Sequence, residues 1–417
     1  MTRDNVAVIG GGVSGLTAAH ILQRRHDVTV FEAAPRLGGH ADTQLISAEA
    51  ALDTAFVIFS ERFYPNFARL LKELGVTSQP ADLVVDIVCD DCGFAHIGAD
   101  LFGTPLLPQR PNGVSREEWD NVSTDCARFG PALSDAMSAA GSGPTVRQVL
   151  DQHGFSRFFA THYLYPMIGS LYLQPSRRID EMPLKFLGDT LSRYGLMGAD
   201  ALATWRTVTG ASHTYVRVLA GRLFRVRTST HVHEVRRSGA GVSVKESSGA
   251  VHDFDKVVIA THAPETLRIL ADPPPDVREV LHSIRYAPFE TALHTDQSVL
   301  NGTGEASNTV LHVTCAANGA DFRSTYRAGL VHKLGEPEHQ YLCSQNMTAQ
   351  LAPEKVLRVL SYEHPVVTPE SFALQQRILE LSDDVIAFAG AYAGNGFHEA
   401  GCASGVHAAK ALGVTWE

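Results

Sequence analysis

The first forty residues constrain the fold more than any other part of the chain. Val6-Ala7-Val8-Ile9 runs into Gly10-Gly11-Gly12-Val13-Ser14-Gly15, then Leu16 to Gln23, then Val28 to Glu32, then Arg36-Leu37-Gly38-Gly39. The order is strand, glycine turn, helix, strand, acid, as in a dinucleotide-binding βαβ unit. Each glycine has a separate job: Gly10 for the tight turn, Gly12 for backbone approach to a pyrophosphate, Gly15 for close packing of helix on strand. The helix start, with Val13 and Ser14, turns free N–H groups and the positive dipole end toward phosphates. Glu32, followed by Ala33, ends the second strand where a carboxylate can accept ribose hydroxyls. A lone G-x-G-x-x-G says little; the flanking strand, helix and acid give this one its force.

The motif alone does not separate NAD from FAD. Arg36-x-Gly38-Gly39, just past the acid, leans toward FAD, because in flavoproteins such a glycine pair lets the chain pass close to the cofactor. No cationic partner for a 2′-phosphate stands next to Glu32, which disfavours NADP.

With 417 residues, 44% of them hydrophobic, the chain can bury a large core and divide into two or three domains. Its net charge of −10 and the lack of a basic stripe argue against nucleic acid. Met1-Thr-Arg-Asp leads straight into the first strand, with no signal peptide and no apolar run of membrane-spanning length, so a cytoplasmic location is expected. The six scattered cysteines do not form a disulfide framework. Cys89-Asp-Asp-Cys92 is the one C-x-x-C. No second pair at finger spacing follows it, so two thiols near a strand end are expected there. His231-Val-His233 lacks a third ligand and is expected at the surface. No metal is expected.

Phe63, Phe67, Leu70, Leu71 and Leu74 predict a helix within residues 56–75, ended by Gly75. Residues 83–98 predict paired strands, and Pro105, Pro108, Pro111 and Asn112-Gly113 a loop. Ser115 to Gly210 is mostly helical in pattern. Its Phe158, Phe159, Tyr163, Tyr165, Met167, Tyr172 and Met197 suit a core first and a substrate wall second. Leu223–Val226, His231–Arg237, Val242–Glu246 and His252–Asp253 predict a strand meander. It leads into a buried strand ending at Ala260-Thr261-His262, which places Thr261 and His262 at the cofactor crevice. Residues 286–365 read as a second mixed block. Val385–Gly390 is a strand and Gly401–Leu412 a helix. Between them lies a glycine-rich turn, Gly390 to Gly405, that suits close approach to a flat ligand. The N–H groups at the next helix start can face the flavin pyrimidine. The expected fold is α/β: a discontinuous Rossmann-like FAD-binding domain (residues 1–80, 216–285 and 380–417) with an inserted mixed α+β substrate domain (81–215 and 286–379).

On these motifs the chain resembles the flavin-containing amine oxidase superfamily. It is similar to a bacterial subgroup of FAD/NAD-binding proteins with a G-G-H start, a D-T-G-F segment followed by Y-P-N-F, and a closing G-F-H-E-D-G. Here these are Gly38-Gly39-His40, Asp53-Thr54-Ala55-Phe56 with Tyr64-Pro65-Asn66-Phe67, and Gly396-Phe397-His398-Glu399-Ala400-Gly401. Trp205-Arg-Thr-Val-Thr-Gly210-Ala-Ser212, Ala260-Thr-His262-Ala, Leu293-His294-Thr-Asp296 and Tyr362-Glu-His364-Pro also match in order. The resemblance implies that Gly10, Gly12 and Gly15 hold the pyrophosphate and Glu32 the ribose. It places Arg36, Gly39 and His40 along the cofactor and Val232 at adenine. Glu399 and its neighbours, Phe397 and His398, would meet the flavin end.

The chain departs from the subgroup at Ala55, Ser60, Ala211 and Ala400, which suggests a specialised member, from a biosynthetic pathway. No motif places the lysine that amine oxidases of the superfamily carry near the flavin. The resemblance implies hydride removal from an amine or an alkyl or alkenyl C–H of a small substrate with an apolar portion, with reoxidation by O2. A redox-neutral double-bond isomerase or cyclase, and a non-catalytic flavin-binding protein, are the alternatives. Among His262, His294, His364 and His398, the last is favoured as catalytic, together with Glu399. Cys402, just inside the predicted helix, is a poor site for covalent flavin attachment.

Overall fold

Five short parallel strands form one sheet, in the order Arg225–Arg227, Asp27–Phe31, Asn5–Ile9, Lys256–Ile259, Ile386–Phe388. This is a computed structural model that describes residues 3–47, 50–82, 84–99, 110, 114–193, 205–239, 241–300, 311–315, 322–334 and 340–417. We call Asn5–Ile9 β1, Val13–Leu22 α1 and Asp27–Phe31 β2. A central parallel strand is buried on both faces, and alternation along β1 assigns each side chain to a face. Val6 and Val8 pack under α1 and the last helix, His398–Ala411. Ala7 and Ile9 pack on the opposite side, among Val244, Ile269 and Leu281. That side is covered by a three-stranded antiparallel meander, Val232–Ser238, Gly241–Glu246 and Val251–Phe254, and by the helices Ala263–Ile269 and Pro275–Ser283.

A second sheet has seven strands: Val356–Val366, Arg285–His294, Leu342–Gln345, Phe322–Tyr326, Leu311–Cys315, Val85–Cys89 and Ala95–Ala99. Its pairings are antiparallel except that of Leu311–Cys315 with Val85–Cys89. A helical block, from Arg116–Ser138 through Leu184–Arg193, packs in one large core with Phe94, Val313 and Cys402. Ser115 opens its first helix with a reciprocal cap to Glu118, which satisfies donors the helix cannot satisfy itself.

Several sequence expectations need correction. The helix expected over 56–75 is α2, Pro65–Leu74. Proline suits the first helical position but keeps Tyr64 before it out of helical geometry, so Phe59–Ser60 is free to pair as a strand with Trp205–Val208. That second strand falls inside the stretch expected to be helical. The strand expected at 223–226 is Arg225–Arg227 and leaves the meander to pair with β2. The last helix starts three residues early, at His398. The proline loop at 105–113, apart from Arg110, and Met197 lie outside the described residues.

Candidate active site

At the C-terminal ends of the five parallel strands opens a cavity of about 470 Å³, the place where open α/β sheets hold ligands. Its walls divide into two ends. The first is made largely of backbone. Gly10 has φ +105°, and a Cβ there would sit 2.6 Å from the Ala260 carbonyl. A Cβ on Gly15 would meet the Gly10 carbonyl at 2.0 Å, so α1 rests directly on its own turn. Gly12 differs: a Cβ there would meet no atom of the chain, because it would point into the cavity. The Glu32 carboxylate accepts N–H bonds from Gly11 (2.6 Å) and Ala34 (2.8 Å), which fixes it at the rim of this end.

Two helix N-termini converge on the cavity. Gly12 caps α1 and Phe397 caps the last helix, both without a side-chain hydrogen bond to the exposed N–H groups. They come side by side because Gly401 and Gly405 let the last helix press on α1, where a Cβ would meet Val13 Cγ1 at 2.6 Å and the Ser14 carbonyl at 2.4 Å. Two positive dipole ends therefore face one cavity.

The second end is aromatic and rich in histidine. His398 stacks on Phe56 (centroids 3.7 Å, 7° between planes), and its Nε2 lies 2.9 Å from the Tyr215 hydroxyl. Burial pulls its pKa down to about 3, so the ring is neutral. His40 packs within 6.0 Å of His262, Tyr362 and His364, and desolvation holds it at about 3 as well. His262 stacks on Tyr286 at 4.3 Å, with Nδ1 3.5 Å from Glu363. Beyond lie Ile58, Tyr64, Leu171, Leu173, Trp205 and Val331. No lysine or arginine lines the cavity among the described residues; its charged side chains are Glu32, Glu265 and Glu363.

Most residues singled out from the sequence line this cavity. Gly10, Gly12, Val13, Ser14, Glu32 and Ala33 do so at the first end. Val232 also lines the first end, packed with Phe31, and Gly38, Gly39, His40, Thr261, Gly390, Phe397 and His398 line the cavity further along. Gly15, Arg36 and Glu399 do not. Gly15 acts one layer behind. The Arg36 guanidinium is paired with Asp42 (2.5 Å) and donates to the Gly39 carbonyl (3.1 Å), beside the cavity wall. Glu399 turns away: its carboxylate accepts the backbone N–H groups of Asn66 (3.1 Å) and Phe67 (3.0 Å) and the Asn66 amide (2.6 Å). It thus caps α2, and the catalytic part expected of its side chain has no support in this geometry. His294 is also displaced: it is buried against Ser344 (2.7 Å), outside the cavity. Cys402 faces Thr17 and does not line the cavity.

The aromatic run of 155–173 is core: Phe159, Tyr163, Tyr165, Met167 and Tyr172 are buried in the main cluster, and only Ser170, Leu171 and Leu173 of that run reach the cavity. Sequence reasoning missed Tyr286, Glu265, Glu363 and Val331. Glu363 stood inside the Tyr362-Glu-His364-Pro motif, but alternation along a strand sets it opposite His364, so the pattern gave no sign of its place in the wall; the other three carried no local signal.

The cavity fits a dinucleotide with a flat ring. The space in front of Gly12 has room for a phosphate. His40 Nε2 and Trp205 Nε1 are buried polar atoms without a protein partner at the far end. Solved structures share the fold: a cyclohexylamine oxidase from Brevibacterium oxydans IH-35A (TM-score 0.71, 17% identity, 99% of both chains) and a CLA-producing fatty acid isomerase from P. acnes (0.69, 13%, 96% of this chain and 97% of that one). An L-amino-acid oxidase from Siganus canaliculatus is 24% identical over 311 residues, 68% of this chain; the chain spans about half the length of that relative, 55%. The model of the flavin-containing amine oxidoreductase family matches residues 13–311, the stretch that runs from the first uncapped helix through the meander, and the chain accordingly belongs to that family, with FAD as its cofactor.

Proposed function

We propose that this protein oxidises a C–H bond next to nitrogen in a small amine with an apolar portion, and that O2 reoxidises the flavin. The observation that carries the reading is the charge of the wall. A cavity with Glu363 beside His262 at its aromatic end and no described lysine or arginine favours a cationic amine over an anion. An amino acid would leave its carboxylate without a counter-ion, at an expected loss of about 1.5–3 kcal/mol for a charged hydrogen bond. FAD, when bound, supplies the hydride-accepting chemistry.

In this reading residues 1–80, 216–285 and 380–417 hold FAD, and residues 81–215 and 286–379 shape the substrate end. Gly10, Gly12, Val13 and Ser14 hold the pyrophosphate, Glu32 and Ala33 the ribose, and Val232 the adenine. Gly38 to His40, Thr261, Gly390, Phe397 and His398 meet the flavin end. The N–H groups after Phe397 steady negative charge at the ring. His398, neutral and anchored by Tyr215, forms a wall rather than a proton carrier. O2 is the acceptor because the chain carries one dinucleotide motif.

A second reading, redox-neutral isomerisation of an unsaturated chain, rests on the apolar residues Ile58, Leu171, Leu173 and Val331 at the far end. Anaerobic mixing of the FAD-loaded protein with amines, amino acids and unsaturated fatty acids separates the two. Bleaching of the flavin by apolar amines, followed by O2 consumption, is expected. Bleaching by amino acids alone would overturn the substrate reading. Conversion of a fatty acid without O2 consumption would replace it with isomerisation. A protein that cannot take up FAD would overturn both. Because His398 shapes the wall and carries no proton, His398→Ala should retain flavin and lower turnover with an unchanged pH profile; normal turnover would remove His398 from the reaction.

A further inference from the structure

One group of metal-ligating side chains lies outside the cavity. Cys89 ends the strand Val85–Cys89, Cys92 sits in the turn that follows, and His162 comes from a π-helical turn, Ala160–Leu164. One ligand atom from each falls within 4.8 Å of the others, with Cys92 Sγ 3.3 Å from His162 Nε2. None of the three lines the cavity. The cysteines form no disulfide.

The orientation of the imidazole is an independent observation. His162 Nδ1 lies 3.1 Å from the Phe158 carbonyl. Nδ1 also lies 2.8 Å from the Thr161 hydroxyl, whose one proton goes to the Arg157 carbonyl (3.0 Å); a carbonyl only accepts, so Nδ1 carries the proton and Nε2 presents its lone pair to the sulfur. Metal-ligating histidines are held in this manner, one nitrogen donating to a backbone carbonyl while the other binds. Phe158 stacks on the ring at 3.8 Å and Phe94 meets it edge-on at 5.6 Å, which leaves it one plane. The turn is shaped for sulfur as well. Gly93 has φ +71°, a conformation that glycine adopts without strain. The turn closes through Gly93 N–H to the Cys89 carbonyl (3.1 Å) and Cys89 N–H to the Phe94 carbonyl (2.8 Å), and the Phe94 N–H is directed at the Cys92 sulfur. An N–H directed at sulfur serves a thiolate better than a thiol.

We propose that Cys89, Cys92 and His162 bind a thiophilic divalent cation, zinc, through two thiolates and one neutral imidazole, with water in the fourth position. Binding releases the two thiol protons to solvent. Two thiolates and Zn²⁺ sum to zero charge, so a partly buried site carries no net charge. The cation joins the edge hairpin of the seven-stranded sheet to the helical run 157–172, whose end supplies Leu171 to the substrate wall.

The full-length protein, purified without chelator, is analysed for metals by plasma mass spectrometry. About one zinc per chain is expected, lost in Cys92→Ser and His162→Ala and kept in Cys126→Ser, a cysteine outside the group. Chelator-treated, reduced wild type is then titrated with Co²⁺, and thiolate-to-cobalt absorption that zinc displaces is expected. The titration decides the matter even where the variants fail to fold. Wild type that holds no zinc and gives no such absorption would overturn the proposal. So would a Cys89–Cys92 disulfide in fresh protein that, once reduced, still binds no Co²⁺.

Discussion

The two ends of the cavity are built from different materials. The dinucleotide end consists of glycines, backbone N–H groups and one carboxylate held by the backbone. The aromatic end consists of side chains from residues 40, 56, 262, 364 and 398, carried there by five separate segments. A backbone site is sensitive to an added carbon atom and indifferent to pH. A site walled by buried neutral histidines has the reverse sensitivities. Four experiments test this contrast.

The largest effect should come from acid. Desolvation holds His40 and His398 at about 3 and His364 at about 4, against 6.5 when exposed. The unfolded chain therefore takes up protons first. Stability is fully present above pH 6.5 and is lost as pH falls toward the folded values, by about 1.4 kcal/mol per unit for each histidine. Asp53 works the other way. Burial raises it to about 7, so between roughly pH 4 and 7 the folded state holds a proton the unfolded state has released, and acid favours the fold. Three against one leaves a net loss of about 3 kcal/mol per unit below pH 6.5, and His96, His294 and His332, each held at about 4, add to it. Unfolding temperatures measured from pH 7.5 to 5.5 should fall, and more steeply in Asp53→Asn. A flat profile would mean that these histidines are solvated.

At the other end, Gly15→Ala and Gly12→Ala should part company. The first drives a methyl against the Gly10 carbonyl at 2.0 Å and should cost about 3 kcal/mol, with loss of the flavin. The second meets no protein atom, so it should change the stability of the FAD-free protein by less than about 0.5 kcal/mol and act only on FAD affinity. Chemical denaturation with and without FAD reads both. If Gly12→Ala unfolds the protein, or binds FAD as wild type does, the backbone does not form the phosphate cradle.

Glu399 joins the two regions, since it leaves the cavity wall to cap α2. Glu399→Ala should cost about 2 kcal/mol by stranding the Asn66 and Phe67 donors. Glu399→Gln should recover part of that. Turnover per bound flavin should stay within about twofold in both, because a group that acts only through stability does not alter the barrier. A larger loss of kcat in Glu399→Gln would return the carboxylate to the chemistry.

The same contrast explains what the sequence could reveal. The dinucleotide end was legible because strand, turn, helix and acid lie within forty residues and each role follows from residue type. At the aromatic end, His398 and Thr261 were legible from motifs. Tyr286 was not, because it reaches the cavity through the register of a long-range sheet pairing, and Val331 was not, because it sits at the end of a four-residue helix with no local signal. Glu399 shows the limit of a motif: it places a residue in a segment and does not say which way the side chain turns. Cys89-x-x-Cys92 shows another limit, since its histidine stands 70 positions away on a helix that no spacing rule connects to it.

Ala211 should give the smallest effect, and its sign rests on three opposed terms. It occupies φ +67°, and a non-glycine residue there is strained by about 1–2 kcal/mol. The conformation is needed because it delivers the Ser212 N–H to both oxygens of buried Asp53, each at 3.0 Å. Ala211→Gly would relieve the strain. It would also enlarge the entropy lost on folding by about 0.5–1 kcal/mol and remove a fully buried methyl worth about 0.8 kcal/mol. The terms nearly cancel, so the variant should lie within about 0.5 kcal/mol of the parent, which is how alanine can stand at a glycine position. Ala55, the other departure near the cavity, has no positive φ and needs no such compensation. A gain above about 1.5 kcal/mol in Ala211→Gly would mean that the methyl contributes nothing and the strain is uncompensated.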